Sequence, residues 1–535
     1  MHVIRTVIAG IWILWLAAGS AADTYMRQQS VDVLHYDIAL ELTDVSDTIA
    51  GTTRLEVLIR GDSVSKMWLD FESMTVDKLT VGETETAFVY REGRLLFNFD
   101  RTYSMNETVW IEIQYHGKPG NNGMRIGENA HGRRVFFTDS WPDLAHHWFP
   151  SIDHPSDKAT VDVTVTAPEK YDVVSNGRLV ATQSIMDGRK LTHWSESKPI
   201  PTYCVAVGVA EFLVSHQKNA SGTPLAWYSY PQNAEAAAQK FSRTALALEY
   251  FESIIGPYPY EKLAQVQAGI REGGMENASA IFYNESYFLE MPVSEFPVPH
   301  EIAHQWFGDS VTESDWDHLW LSEGFATYFE ALFYAHLEGS ESLKRIMASN
   351  ANRLKEYAGA LSSSVIDSEQ TDLMKKLNPL NYEKGAWILH MLRGLLGDET
   401  FFKGIRLYYR SHAGESVLSE DFQKAMESVS GTGLNTFFKQ WLYQPGWPEY
   451  VISWQWDATA GEADITLKQT QTTGLFDTPL DIAFSDMNHC EVHTFTVTDA
   501  VHNFRIPLKF KPEALEVDPE DRVLKSVEIL RSSRP

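Results

Sequence analysis

The tightest constraint in this 535-residue chain is the run from His300 to Glu330, HEIAHQWFGDSVTESDWDHLWLSEGFATYFE. If residues 300–304 are helical, four residues advance little more than one turn, so the imidazoles of His300 and His304 leave the same face and can share one metal ion. Glu301 lies between them, roughly a quarter-turn away. That offset suits a carboxylate leaning over a metal-activated water, as a general base, better than it suits a ligand. Eighteen residues separate His304 from Glu323, enough for a loop and a return onto a second helix rich in apolar and aromatic side chains. Glu323 can then be the third ligand. Two His and one carboxylate leave a position open, the catalytic rather than the structural pattern for zinc. A bare HExxH can arise by chance; Glu323 on its own amphipathic segment is what makes the reading specific. One Zn2+ ion held by His300, His304 and Glu323 is expected.

Two further segments stand in register with this one. Gly273-Gly274-Met275-Glu276-Asn277 lies 23 residues upstream of His300, and Tyr382-Glu383-Lys384-Gly385 lies downstream. Together the three motifs resemble the gluzincin zinc aminopeptidases, the family of aminopeptidase N and leukotriene hydrolase, over most of the chain from about residue 30 to residue 450. The resemblance implies a multidomain α+β fold: a β-rich, saddle-shaped N-terminal domain, a thermolysin-like, mainly helical catalytic domain and a small C-terminal β-sandwich. It also implies peptide substrates with a free N-terminus. Glu276 would bind the terminal ammonium, which a peptide interior does not offer, and Tyr382 would donate to the oxyanion of the tetrahedral intermediate. Gly273, Gly274, Met275 and Asn277 would contact the substrate main chain, since glycine lets the backbone approach a peptide added as a strand. The chain reads as a short form without the large C-terminal helical domain of longer members, with a more open cleft.

In chain order, residues 1–22 read as a leader: Arg5 is a positive n-region, Val7 to Ala18 an apolar run, and Gly19-Ser20-Ala21-Ala22 a small-residue cleavage site. The run is short for a membrane span. An uncleaved anchor is the competing reading, but no stop-transfer flank follows. Export to the periplasm or the extracellular space is expected, with no integral span after cleavage. The net charge of −27 disfavours nucleic acid and anionic lipid as partners. Two cysteines, Cys204 and Cys490, exclude a disulfide framework. Cys204 lies in an apolar run and reads as a buried free thiol.

The expected domains are residues 23–215 (β-rich), 216–445 (catalytic) and 446–535 (β-sandwich). Period-two alternation in Tyr36 to Leu42, Thr53 to Ile59 and Thr160 to Ala167 supports the first. Phe137 to Pro142 matches the family's cleft-edge strand, but Asp139 and Trp141 depart from its pattern. Asp139 is expected either as a second carboxylate facing the substrate amine or basic first side chain, or as a surface turn residue. His146, His147 and His154 lack helical metal spacing and read as hydrogen-bonded structural imidazoles. A helix is expected over Ala234 to Ile255, then an edge strand over Leu263 to Gly269. Pro297 and Pro299 fix the start of the His300 helix at about Val298 or Pro299. Asp309, Asp317 and Glu330 are candidate acceptors for the ligand imidazoles. Trp306, Phe307, Trp316, Trp320, Phe325 and Phe329 read as core.

The reading that results is a zinc-dependent aminopeptidase with Glu301 as general base. Epoxide hydrolysis on the same zinc site ranks second, because the member with that activity relies on the missing helical domain. A noncatalytic peptide binder ranks third, because such chains lose Glu301 or a ligand and this one keeps all of them. Preferred first residue, natural substrate and oligomeric state are not encoded in these motifs.

Overall fold

The computed structural model describes residues 23–120, 123–271, 273–290, 292 and 297–531. The expected leader, residues 1–22, lies outside them.

Alternating side chains build the N-terminal half. Lys158–Pro168 buries every second residue, and Val31–Glu41 does so with one irregularity, so each strand presents one face to a core and one to solvent. The two pair in parallel with His35 opposite Thr160, near the centre of an eight-stranded sheet whose other pairings are antiparallel. A four-stranded sheet containing Gly123–Glu128, Arg134–Asp139 and Val207–Ala210 carries this half toward the middle of the molecule. One continuous apolar core joins them, running from Val31 through Phe137 and Trp148 to Phe282 and Trp316 of the next domain.

The middle domain combines a five-stranded sheet with helices. In spatial order its strands are Leu213–Lys218, Pro224–Ser229, Leu263–Ala268, Ala280–Asn284 and Gly274–Met275. This corrects two expectations. Leu213–Lys218 pairs as a hairpin with Pro224–Ser229, so the boundary expected at 215 falls inside a strand, and residues 219–223 are that hairpin's turn. Leu263–Ala268 is not an edge strand: it is buried at every position between two parallel neighbours. The edge is Gly274–Met275. The helix expected over Ala234 to Ile255 is broken into Ala234–Lys240, a 3-10 turn Phe241–Arg243 and Thr244–Ile254. At the break the Ser242 hydroxyl donates to the Gln239 carbonyl, a local bond that competes with the helical ladder. The remaining helices include Val298–His304, Trp320–Glu338, Ser340–Glu356, Gly385–Leu396 and Asp398–His412.

From Glu449 onward a four-stranded and a three-stranded sheet enclose a separate core of Tyr450, Ile452, Ile465, Leu480, Ile482 and Phe484. Val523 and Leu524 leave that unit and join the helical core. Cys204 is buried and Cys490 exposed, both free. Among the described residues no helix is long and apolar enough to cross a membrane.

The helices Trp320–Glu338 and Gly385–Leu396 meet backbone to backbone. A Cβ on either Gly324 or Gly385 would stand 2.8 Å from the other's Cα, so only glycine fits at both positions. Gly385→Ala is expected to cost about 1–3 kcal/mol by overpacking. Gly394→Ala on the same helix meets only ordinary contacts from 3.4 Å outward and should be neutral or stabilising. Denaturant titration of the two variants checks this; equal stabilities would contradict it.

Candidate active site

The helix Val298–His304 begins directly after Pro297, with proline inside its first turn, where the missing N–H goes unused. Its seven residues are enough to bring His300 and His304 onto one face, with their Nε2 atoms 3.1 Å apart. Glu323, in the first turn of Trp320–Glu338, points its Oε2 at both imidazoles from 3.4 Å. That oxygen is buried and has no hydrogen-bond partner among the described residues.

These facts test whether the residues fit a metal ion. Donors bonded to one tetrahedral ion at about 2.0–2.1 Å sit roughly 3.3–3.4 Å from each other, which is the size of the observed triangle. A buried carboxylate oxygen without a partner is costly unless a cation neutralises it. The donor set of two imidazoles and one carboxylate suits zinc. Burial pushes the Glu323 carboxyl up, but the adjacent imidazoles outweigh it and hold Glu323 far below the usual carboxylate range, the charge state a metal ligand would need.

The outer nitrogen of His304 is held as well. His304 Nδ1 lies 3.2 Å from the Phe307 carbonyl and 3.0 Å from Ser322 Oγ. Gly308, with φ +124, makes room for this: a Cβ there would stand 2.5 Å from Ser322 Oγ and 3.1 Å from His304 Nδ1. His300 Nδ1 faces Glu330 Oε2 at 3.7 Å, so Glu330 lies beside the ring but beyond the hydrogen-bond distance expected of an acceptor. Asp309 and Asp317 do not act on the imidazoles. Asp309 accepts from Gln305 Nε2 and Cys204 Sγ, while Asp317 pairs with Lys376 at 2.7 Å.

Glu301 projects into the same space and is 5% exposed. Its carboxylate, that of Glu276 and a ring nitrogen of His304 offer atoms within 4.8 Å of one another. Burial pushes the Glu301 carboxyl up to about 7, with His300 and His304 pulling the other way, and a bound cation would add to that downward pull. Burial likewise raises Glu276. Gly274 is required here: a Cβ would fall 2.2 Å from Glu301 Oε1 and 2.9 Å from its Cγ. Gly273 adopts φ +74 and its carbonyl accepts from the Asn284 N–H. Met275 pairs with Phe282. Asn277 is buried, and its Nδ2 has no partner among the described residues.

Tyr382 occupies a π-helical turn, Leu380–Lys384, from which Gly385–Leu396 continues. Such turns re-aim a side chain by one residue of register. Its ring stacks 6.1 Å from that of His300, and burial together with the charges of Glu323, Glu276 and Glu301 pushes the phenol well above its ordinary range, so it remains a donor.

Asp139 requires a correction. Both its oxygens are taken by Arg271: Oδ2 accepts from Nε at 2.8 Å, and Oδ1 from Nη2 at 2.9 Å. A paired carboxylate has no free charge for an incoming amine. The pair forms part of the rim of a cleft of about 510 Å³, also lined by Trp141, Met275, Glu276, Glu323, Met374, Leu377 and Tyr382. The six aromatic residues read as core are all at most 3% exposed.

Sequence reasoning missed Gln305. It is fully buried, its Nε2 donates to the Glu276 carbonyl at 2.7 Å, and its Oε1 accepts from the Ser279 N–H at 2.8 Å. It therefore locks the helix carrying both histidines to the segment carrying Glu276. Its only sequence signal is a polar residue beside His304.

Comparison with known proteins places the chain among aminopeptidase-like sequences and folds. The profile of the peptidase M1 N-terminal domain matches residues 33–204, and that of the peptidase family M1 domain matches residues 240–441. Glutamyl aminopeptidase of Bitis rhinoceros is 28% identical over 451 residues, covering 78% of this chain and 47% of that protein. Aminopeptidase N of Streptomyces lividans is 29% identical over 450 residues, covering 79% and 52%. The chain thus spans about half the length of the curated relatives it matches. A crystal structure of Legionella pneumophila aminopeptidase A in complex with aspartic acid superposes with a TM-score of 0.84 at 19% identity, over 96% of this chain and 61% of that one, a likeness of fold. With both characteristic domains matched in order, the chain belongs to peptidase family M1.

Proposed function

We propose that this protein is a zinc-dependent aminopeptidase. The observation that carries the reading is the position of Glu276: a buried carboxylate beside Glu301 and His304, at the end of the unpaired sheet edge Gly274–Met275. A peptide added along that edge would present its free ammonium to Glu276 and its first peptide bond to Glu301.

Zinc held by His300, His304 and Glu323 would supply Lewis acidity to the scissile carbonyl and to the attacking water. Glu301 takes the proton from that water and returns it to the leaving amine. Tyr382 donates to the oxygen on which charge develops. Backbone groups of Gly274 and Met275 align the substrate, and Glu276 fixes the register at one residue from the amino end. The Asp139–Arg271 pair cancels its own charge, leaving Trp141, Met275, Met374 and Leu377 to meet the first side chain. Neutral first residues are therefore favoured over Glu or Arg. The reading of residues 1–22 as a leader supports export to the periplasm or the extracellular space.

Glu301→Gln should lower kcat on aminoacyl amides by about 10²–10⁴-fold with zinc content unchanged; near-normal turnover would remove Glu301 from the mechanism. Glu276→Gln should lower kcat/KM on substrates with a free amine by about 10- to 100-fold, the worth of a hydrogen bond to a charged group. A loss confined to N-acetylated peptides would contradict amine recognition. Gly274→Ala, which pushes on the Glu301 carboxylate, should lower kcat by about 10²-fold with the fold intact by circular dichroism. A panel of Leu, Met, Ala, Glu and Arg amides checks the preference, and faster cleavage of Glu or Arg would overturn it.

A further inference from the structure

We propose that Glu72, His146 and His147 form a second metal site, for a late first-row divalent cation such as Zn2+, Ni2+ or Cu2+, on the N-terminal domain. Adjacent residues diverge on a regular helix, which is why these histidines read as structural. The 3-10 turn Ala145–His147 is too short to keep them apart: the two rings lie 4.4 Å from each other, tilted by 30°. Both Nε2 atoms face one oxygen, Glu72 Oε2, at 3.7 and 4.0 Å. Those distances are too long for hydrogen bonds and slightly wider than the donor spacing around one such ion, about 3.3–3.4 Å. Glu72 can close the difference, because its side chain is 53% exposed.

The remaining bonds are those of a built site. His146 Nδ1 is bonded to the buried Asp153 Oδ2 at 2.7 Å, and the same oxygen accepts the His146 N–H. Asp153 Oδ1 is fixed in turn by the Thr202 hydroxyl. A carboxylate holding Nδ1 presents the lone pair of Nε2 outward and strengthens it as a ligand. His147 Nδ1 lies 3.4 Å from Ser73 Oγ. The Glu72 N–H donates to the His146 carbonyl at 3.0 Å, so the backbone holds all three residues in place whether or not an ion is bound. Water would complete the coordination of a bound ion on the exposed side.

The test is metal counting on the full chain, stripped with chelator and dialysed against Zn2+ alone. The native protein should hold two equivalents. Glu72→Gln and His147→Asn should weaken one of them by at least about tenfold, while His304→Ala removes the other and keeps this one. His304→Ala loaded with Cu2+ should show spin-resonance coupling to two imidazole nitrogens, reduced to one by adding His147→Asn. Glu72 is exposed, so its substitution leaves folding untouched and keeps the count decisive. A native protein holding one equivalent, or a second equivalent bound equally well by Glu72→Gln and His147→Asn, would overturn the site.

Discussion

The middle of this molecule depends on one meeting: a carboxylate from one helix brought against two imidazoles from another, with no hydrogen bond among the described residues to satisfy its inner oxygen. An apolar interior tolerates such an oxygen only with a cation beside it. The surrounding structure serves that convergence. Gly324 and Gly385 let the Glu323 helix touch the helix that follows Tyr382. Gln305 ties the histidine helix to the Glu276 segment. The N-terminal half contributes as well, since Lys158 Nζ donates to the carbonyls of Asp309 and Ser310, and Tyr203 donates to that of Gly308. Those bonds fix the loop between the ligands from outside, so the two domains act as one support.

Much of this was legible from the sequence, for a definite reason. Spacing on a helix is a local property, so His300, Glu301 and His304, and the helix start after Pro297, follow from a handful of residues. Glu323 was also reachable, because a ligand on an apolar, aromatic segment has one sensible destination. What depended on partners distant in the chain was not legible. Asp139 became an ion pair only because Arg271, 132 residues later, lies against it. Leu263–Ala268 alternates like a half-exposed strand, yet Gln265 and Gln267 are buried between parallel neighbours. The acceptors for His304 turned out to be a carbonyl and a serine hydroxyl rather than the aspartates nearby in sequence. A backbone carbonyl leaves no mark in a sequence.

Two histidine clusters on one chain show how much second contacts matter. In one, helical spacing sets the pair and a distant glutamate completes it. In the other, neighbouring residues in a tight turn are oriented by Asp153 and by a backbone bond from Glu72. Motif spacing finds the first kind and overlooks the second, because the second is defined by what holds the rings rather than by their interval.

The most direct measurement of the central claim is an anomalous difference map collected at the zinc edge from crystals soaked with free leucine. The account predicts a peak bonded jointly by His300, His304 and Glu323, with the leucine amino group on Glu276. A peak that leaves Glu323 unbonded, or an amino group seated away from Glu276, would contradict it.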